Sequence, residues 1–153
     1  MVNEKPIRSF KDLEVYNVSY QAMLDIFKYV LPKLPVEEKF DLTDQLRRSC
    51  KAVPRLIAEG YSKRHQKKGF QRYLDDAMAE SNESGVSITQ ARDLYFSGSD
   101  DIKILDNLID VYDKISRQCY NLAVVWNKFD ERRLTTKSMN EQANRVSQPQ
   151  TKN

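Results

Sequence analysis

Glycine and proline are both scarce in this 153-residue chain, with four and five residues respectively. Because both residues interrupt regular secondary structure, their scarcity argues against a loop-rich fold and favours long helices. The chain contains one histidine, and it has no Glu-x-x-His pattern, glycine-rich phosphate loop, nucleophile elbow or zinc-binding pattern. The sequence therefore predicts a protein that is not an enzyme and that holds no metal and no cofactor.

Cysteines and long apolar runs are also few. Cys50 and Cys119 lie within helix-like apolar patterns, and with no signal peptide at the amino terminus we expect two reduced thiols in a cytoplasmic protein. Charges interrupt every hydrophobic stretch, so none approaches the roughly 18 to 20 residues that a membrane-spanning helix needs. We therefore expect a soluble protein with no membrane partner.

The amino-terminal half predicts two amphipathic helices, because its apolar residues recur at steps of three and four. Ser9 is the predicted N-cap of the first helix, and Pro32 and Pro35 bracket its predicted end. Asp41 or Thr43 is the predicted N-cap of the second helix, which ends at Gly60. The predicted core-facing positions are Leu13, Tyr16, Tyr20, Met23, Phe27, Leu31 and Leu34 in the first helix, and Leu42, Leu46, Cys50, Val53 and Ile57 in the second.

The carboxyl-terminal half predicts two more helices. The third begins near Lys67, and the middle of its core-facing side consists of small residues that let a neighbouring helix approach closely. A turn at residues 97–99 precedes the fourth helix, whose first turn carries Asp100 and Asp101 near the positive end of the helix dipole. The predicted core-facing positions of the third helix are Phe70, Leu74, Ala77, Ser81, Ser84, Ile88, Ala91 and Tyr95.

Four helices joined by short turns predict an all-α fold, an antiparallel up-and-down four-helix bundle over residues 9–133. Residues 1–8 are expected to form a flexible amino terminus. Residues 134–153 are expected to form a disordered polar tail, because almost nothing in that segment can be buried. One domain accounts for a chain of this length.

Charge is distributed unevenly along the chain, although the net charge is only +3. Residues 47–72 contain nine basic residues and one acidic residue, whereas residues 73–112 contain nine acidic and two basic residues. In the second helix Arg47, Lys51 and Arg55 recur at every fourth residue and form a line along one face. Such a line releases counterions from nucleic-acid phosphates, which predicts binding without sequence preference. The predicted nucleic-acid-binding residues are Arg47, Arg48, Lys51, Arg55, Lys63, Arg64, Lys67, Lys68 and Arg72.

The basic segment allows more than one interpretation. Tyr61, Phe70 and Tyr73 are interleaved with the cations and are predicted to stack on unpaired bases if a nucleic acid binds. The alternative is a solvated face whose cations pair with another subunit, an acidic protein or a lipid. Within the chain, the candidate acidic partners are Asp75, Asp76, Glu80 and Glu83.

The fourth predicted helix carries a second apolar stripe beside the stripe that faces the core. A helix in a four-helix bundle needs only one such stripe. The second one therefore indicates either a broad inner face or a contact between subunits. The predicted oligomer interface consists of Ile104, Leu108, Val111, Ile115, Leu122 and Val125.

Glu59, Glu83 and His65 are the remaining candidates for chemistry. Each glutamate lies among apolar or small neighbours, which predicts a structural ion pair with Arg92 or with an arginine of the second helix. His65 lies in a basic turn, where a lone histidine is more often part of a polar surface than a general base. We expect none of the three to be catalytic.

Several sequence blocks occur together along the chain. They are residues 10–16 (Phe-Lys-Asp-Leu-Glu-Val-Tyr), residues 42–49 (Leu-Thr-Asp-Gln-Leu-Arg-Arg-Ser), residues 53–54 (Val-Pro) and residues 57–60 (Ile-Ala-Glu-Gly). Further matching positions are Phe70, Tyr73, Leu74, Ala77, Glu83 and residues 91–94 (Ala-Arg-Asp-Leu). With these blocks, residues 10–129 resemble the bacterial four-helix-bundle proteins known as 23S ribosomal RNA intervening-sequence proteins.

The resemblance implies a bundle that assembles into a ring, with a homopentamer as the expected state. It also implies kinship with the accessory variability proteins of diversity-generating retroelements, which are basic, form rings and associate with nucleic acid and a reverse transcriptase. We therefore expect an oligomer that binds the backbone of RNA or DNA, as an accessory to a reverse transcriptase or another protein encoded nearby. The alternative is an oligomeric protein-interaction scaffold with no direct nucleic-acid binding.

Overall fold

The computed structural model describes residues 6–146, and all regular structure within that range is helical. The four long helices are α1 (Glu14–Asp25), α2 (Leu42–Ser62), α3 (Gly69–Tyr95) and α4 (Ser99–Val146). Short helical turns occur at Phe10–Asp12, Ile26–Val30, Leu31–Lys33 and Val36–Glu38. The prediction of an all-α fold with four main helices is confirmed for this part of the chain. None of the helices within residues 6–146 combines the length and apolar composition needed to cross a membrane.

Each long helix packs mainly against two others, so that α2 and α3, α3 and α4, α4 and α1, and α1 and α2 are neighbours. Contacts between α2 and α3 run in opposite sequence order. Ser49 Oγ of α2 lies 2.9 Å from Ser84 Oγ of α3, whereas Gly60, later in α2, packs under Tyr73, earlier in α3. The four helices thereby enclose a single core.

The small-residue side of α3 is buried as predicted. Ser81 and Ser84 are fully buried, and the Ser81 hydroxyl donates a 2.8 Å hydrogen bond to the Tyr112 carbonyl of α4. Because such hydroxyls satisfy backbone acceptors without adding bulk, neighbouring helices can pack closely along this side. Tyr95, predicted to face the core at the end of α3, is instead exposed, and its hydroxyl bonds to the Glu38 carboxylate.

The buried side of the first helical segment differs only in part from the predicted one, because Leu13 is buried and the predicted residues after Tyr20 pack half-buried against the core. Val15, Ser19 and Ala22 are buried, whereas Tyr16 is half-buried and Tyr20 is 46% exposed. The prediction that Tyr20 faces the core was therefore wrong. α1 carries two adjacent apolar stripes, and the one with smaller side chains occupies the core because it lets α1 approach its neighbours more closely.

The start of α2 also differs from the prediction. Neither Asp41 nor Thr43 provides a side-chain cap; the Leu42 N–H instead donates a 3.1 Å hydrogen bond to Glu38 Oε2. The helical turn at Val36–Glu38 places that carboxylate close enough to satisfy an otherwise free N–H of the first turn. The predicted N-cap Ser9 is confirmed, although it caps the short turn before α1.

The last helix is longer than predicted. Residues 134–146, expected to be disordered, continue α4 as far as Val146. The hydroxyls of Thr135 and Thr136 each donate a 2.9 Å hydrogen bond to the carbonyl four residues earlier. A helix that is already packed needs no burial to add further turns, since each added residue gains a backbone hydrogen bond. Residues 1–5 and 147–153, the remainder of the two predicted flexible ends, lie outside the described residues.

Cys50 and Cys119 are free thiols buried in the core. Burial raises the pKa of Cys50 to about 11 and that of Cys119 to about 12. Both groups therefore stay protonated at neutral pH, and the protonated thiol is a poor nucleophile.

We expect neither thiol to react with a disulfide reagent such as DTNB while the protein is folded. Both should react at once in guanidinium chloride, because unfolding exposes them and returns their pKa toward the ordinary range. The measurement is the time course of thiol titration with and without denaturant. Rapid labelling of either cysteine in the folded protein would contradict the buried placement.

The close packing of α2 on α3 can be tested at Gly60. A Cβ atom at this position would lie 2.5 Å from Tyr73 Cβ and 3.0 Å from Phe70 Cδ2. We expect Gly60→Ala to lower the free energy of unfolding by about 1 to 3 kcal/mol through overpacking. The measurement is urea unfolding followed by circular dichroism.

The matched control is Gly85→Ala in α3, where a Cβ atom would meet Tyr112 Cβ at an ordinary 3.8 Å. Without a clash, alanine should raise the free energy of unfolding by about 0.5 to 1 kcal/mol, because it is the better helix former. Equal effects of the two substitutions would show that α2 and α3 are not in close contact at Gly60.

Candidate nucleic-acid interface

The cations of α2 share one exposed side of the helix, here called the basic face (Arg47, Arg48, Lys51 and Arg55). The guanidinium of Arg47 lies over the Phe27 ring, with 5.3 Å between its Cζ atom and the ring centroid. Lys51 and Arg55 border a groove between α1 and α2. The basic face thus lies along the solvent side of α2, and part of it adjoins the first helix.

Ion pairs occupy little of the basic face. Arg48 Nε lies 3.4 Å from Asp44 Oδ2, but both side chains are exposed, so solvent screens the attraction. Within residues 6–146, Arg47, Lys51 and Arg55 form no ion pair. The acidic side chains of α3, the alternative partners considered from the sequence, do not pair with them in this part of the chain.

Glu80 of α3 shows how weakly the two helices interact through charge. Burial raises the pKa of Glu80, the neighbouring Glu83 raises it further, and Arg48 and Arg55 only partly oppose this shift. Together these effects raise the pKa of Glu80. Burial and like charge therefore destabilise the Glu80 carboxylate more than the two arginines stabilise it.

The turn between α2 and α3 presents the remaining predicted cations. Lys68 adopts a left-handed backbone conformation with φ of 55°. Gly69 follows it, and a Cβ atom there would lie 2.2 Å from the Lys63 carbonyl oxygen, so the close backbone approach requires glycine. This tight turn groups its cations at one end of α2.

Two cations of this turn also make local contacts. Lys63 Nζ donates a 2.6 Å hydrogen bond to the Tyr73 hydroxyl and lies 3.9 Å from the Glu59 carboxylate. The hydrogen bond to Tyr73 is the main reason that the pKa of Lys63 is raised. The Arg64 guanidinium packs over the Tyr61 ring at 4.1 Å and donates to the Tyr61 carbonyl at 2.8 Å. The cations of this region that are exposed are Lys67, Lys68 and Arg72.

The aromatic residues predicted to stack on bases are not available for that role. Tyr61 and Phe70 are only 7% and 1% exposed, and both pack edge-to-face against Trp126 with ring centroids 6.5 and 5.0 Å away. Tyr73 is half-buried, and its hydroxyl bonds to Lys63 and Glu59. The stacking prediction was wrong because Tyr61 and Phe70 lie at core-facing helical positions, where burial stabilises them strongly.

A different aromatic set adjoins the basic face. Phe10, Tyr16 and Tyr20 line the groove between α1 and α2, which has a volume of 330 Å³, together with Lys51 and Arg55. The rings of Phe10 and Tyr16 meet edge-to-face with centroids 4.8 Å apart, and those of Tyr16 and Tyr20 are 6.0 Å apart. The sequence interpretation missed these residues because it assigned the two tyrosines to the core. The sequence does contain a second apolar stripe on α1, and the residues of that stripe lie deepest in the core.

The predicted structural ion pairs form with other partners. Arg92 Nη1 of α3 lies 2.6 Å from Asp106 Oδ1 of α4, and Glu59 pairs with Lys63 of its own helical segment. Glu83 is exposed and forms no ion pair within the described part of the chain. Glu59, Glu83 and Arg92 therefore do not form ion pairs with one another.

The fold buries two residues of the predicted oligomer interface and leaves the other four with exposed surface. Leu108 and Ile115 are 2% and 0% exposed within one protomer, so these two residues belong to the core and cannot contact another subunit. For Leu108 and Ile115, the second stripe is therefore explained by a broad core-facing side of α4. The members that keep exposed surface are Ile104, Val111 and Leu122, which are half-buried, and Val125, which is 52% exposed.

His65 is exposed in the turn between α2 and α3. Within residues 6–146, no group of three or more His, Cys, Asp or Glu side chains is placed to hold a metal ion. The side chains that the fold brings together in this region are cations and aromatic rings.

The comparison with known proteins identifies one family. A model of the 23S rRNA-intervening sequence protein family matches residues 11–121, a segment that includes the basic face, the turn after it and all of the lining of the groove between α1 and α2 except Phe10. None of the curated proteins matches the chain. Because the family model covers well over half of the sequence, this chain belongs to the 23S rRNA-intervening sequence protein family.

Proposed function

We propose that this protein is a non-enzymatic, oligomeric four-helix bundle that binds the backbone of RNA or DNA through the basic face and the cations of the following turn. The observation that carries the proposal is the exposure of Arg47, Lys51 and Arg55 on one side of α2, with no ion pair among the described residues. Cations that are not already paired gain most from a polyphosphate, since each neutralised phosphate releases counterions. The description of the family refers to an intervening sequence of 23S rRNA, which is the link to nucleic acid that the family match gives.

The spacing of these cations suits a phosphate backbone. The α-helical rise of about 1.5 Å per residue separates Arg47 from Arg55 by about 12 Å along the helix. Over that length one strand of B-form DNA carries three to four phosphates, at about 3.4 Å each along the axis. Contacts of this kind position a nucleic acid and read no bases, so the binding has little sequence preference and weakens steeply with salt.

Assembly is the second part of the proposal. We propose an antiparallel up-and-down bundle that forms a ring, a homopentamer, in which several basic faces act on one nucleic acid. Val125 and Phe129 of α4 are more than half exposed and continue the half-buried stripe of Val111 and Leu122. Covering this apolar surface by another subunit would stabilise the oligomer by about 25 cal/mol per Å² of apolar area buried. In this arrangement the protein is an accessory to a reverse transcriptase or to another protein encoded nearby.

A protein-interaction scaffold is the second candidate function. It is favoured by the carboxyl-terminal part of α4, which carries the exposed apolar residues Phe129, Leu134 and Met139. Such side chains on a helix with few packed neighbours can dock against a partner protein. In this alternative, the basic face contacts acidic residues of the partner.

The basic face is tested by reversing its charge. The triple variant Arg47→Glu, Lys51→Glu and Arg55→Glu should lose most of its affinity for RNA and DNA. The slope of log K against log salt concentration should fall by about three, because about one phosphate contact is lost for each residue. The measurement is fluorescence anisotropy of a labelled oligonucleotide over a series of salt concentrations.

The control variant carries Lys39→Glu, Lys103→Glu and Lys128→Glu, which change the net charge equally at exposed sites outside the basic face. It should keep most of the affinity. Equal losses in the two variants would assign binding to net charge alone, and unchanged binding by the basic-face variant would rule out this surface.

The oligomer is tested on the exposed part of the α4 stripe. Val125→Asp should reduce the molar mass measured by light scattering after size-exclusion chromatography, because it places a charge in an apolar contact. Asn107→Asp, an exposed change elsewhere on α4, should leave the mass unchanged. A wild-type monomer, or a Val125→Asp oligomer of undiminished mass, would contradict the proposed interface.

A further inference from the structure

The groove between α1 and α2 combines two kinds of surface. Its α1 side carries aromatic rings, of which Tyr20 is the most open to solvent, and its α2 side carries Lys51 and Arg55. Neither cation forms an ion pair among the described residues, and the hydroxyls of Tyr16 and Tyr20 have no hydrogen-bond partner there. The groove therefore offers free aromatic faces, free donors and free positive charge side by side.

We propose that this groove binds one unpaired nucleotide of a bound RNA or DNA strand. The base stacks on the exposed Tyr20 ring beside Tyr16, and Lys51 and Arg55 hold the adjoining phosphates. The inference rests on the proposed function, because the basic face must first hold the backbone. It adds a class of ligand that a purely electrostatic surface does not select, namely single-stranded nucleic acid.

The chemistry of the lining identifies the ligand class. No acidic side chain lines the groove, and neither of its two cations forms an ion pair among the described residues, although Arg55 interacts electrostatically with Glu80 of α3. The rest of the lining is aromatic or apolar, including Met23 and Pro54, which favours a flat, weakly polar group. A nucleotide joins these two features in one ligand, since its phosphate is anionic and every base has an aromatic face.

The size of the groove agrees with a single nucleotide. Its volume of 330 Å³ lies at the lower end of the range of about 300 to 1,000 Å³ for small-molecule pockets. One base fills a space of this kind, whereas a paired base inside a duplex cannot enter it without leaving its stack. Binding in the groove therefore predicts a preference for unpaired over paired strands, whatever the sequence.

The experiment compares a labelled single-stranded oligonucleotide with a duplex of the same length by fluorescence anisotropy. Tyr20→Ala should weaken single-strand binding about 5- to 150-fold, the range found when a stacking aromatic residue is replaced by alanine. Duplex binding should change less than about two-fold, because phosphate contacts alone support it. Tyr20→Phe should bind single strands like the wild type, since the ring and not the hydroxyl stacks on the base.

The matched control is Tyr120→Ala, which removes an exposed tyrosine of α4 that does not line the groove. It should leave both affinities unchanged. A second measurement needs no variant: photo-crosslinking of an oligonucleotide that contains 4-thiouridine should label the peptide that carries Tyr16 and Tyr20.

Each contrary result has a distinct meaning. If Tyr20→Ala leaves single-strand binding unchanged, or weakens single-strand and duplex binding equally, the base site is wrong while the basic face stands. If the wild-type protein binds neither oligonucleotide, the proposed function fails and the base site fails with it. If Tyr20→Ala lowers the molar mass of the oligomer, a second copy of the chain occupies the groove, and the nucleotide proposal is overturned.

Discussion

The close contact between α2 and α3 is the constraint on which the other features depend. Gly60 brings α2 against the Tyr73 backbone region of α3, and the hydroxyls of Ser49 and Ser84 meet at 2.9 Å in the same interface. Because this contact buries one side of α2 with no room for larger side chains, the opposite side must face solvent. That opposite side carries the basic face, so the packing of the core determines where the positive charge is presented.

The same packing separates two groups of aromatic residues with different roles. Tyr61 and Phe70 flank the turn after α2 and are drawn inward against Trp126, where edge-to-face contacts close one end of the core. Tyr20 remains at the surface, with Tyr16 half-buried beside it, because smaller side chains occupy the core side of α1. Tyr61 and Phe70 are thus buried beside the basic turn, whereas Tyr20 is exposed beside the α2 cations.

The sequence predicted the buried side of a helix correctly where the helix carries one apolar stripe, and less well where it carries two. The five positions of α2 that were predicted to face the core are all buried, since its apolar residues form one stripe opposite a row of cations. α1 carries two adjacent apolar stripes; the residues of the predicted one are buried or pack half-buried against the core, except Tyr20, which is exposed. α4 also has a broad apolar side, so Leu108 and Ile115 were assigned to an interface although the core encloses them. Residues 134–146 were missed because exposed helix leaves no apolar pattern.

The sequence by itself determined the helical class, the four main helices, the family and the row of cations on α2, because these follow from periodicity, charge order and matching blocks along the chain. Only the tertiary structure decided which of two apolar stripes is buried, which cations lack a partner and which aromatic rings adjoin them. Those outcomes depend on how closely the helices approach one another. That distance is set by the fit of side chains such as Gly60 and Ser84 against the facing helix, and a linear pattern does not contain it.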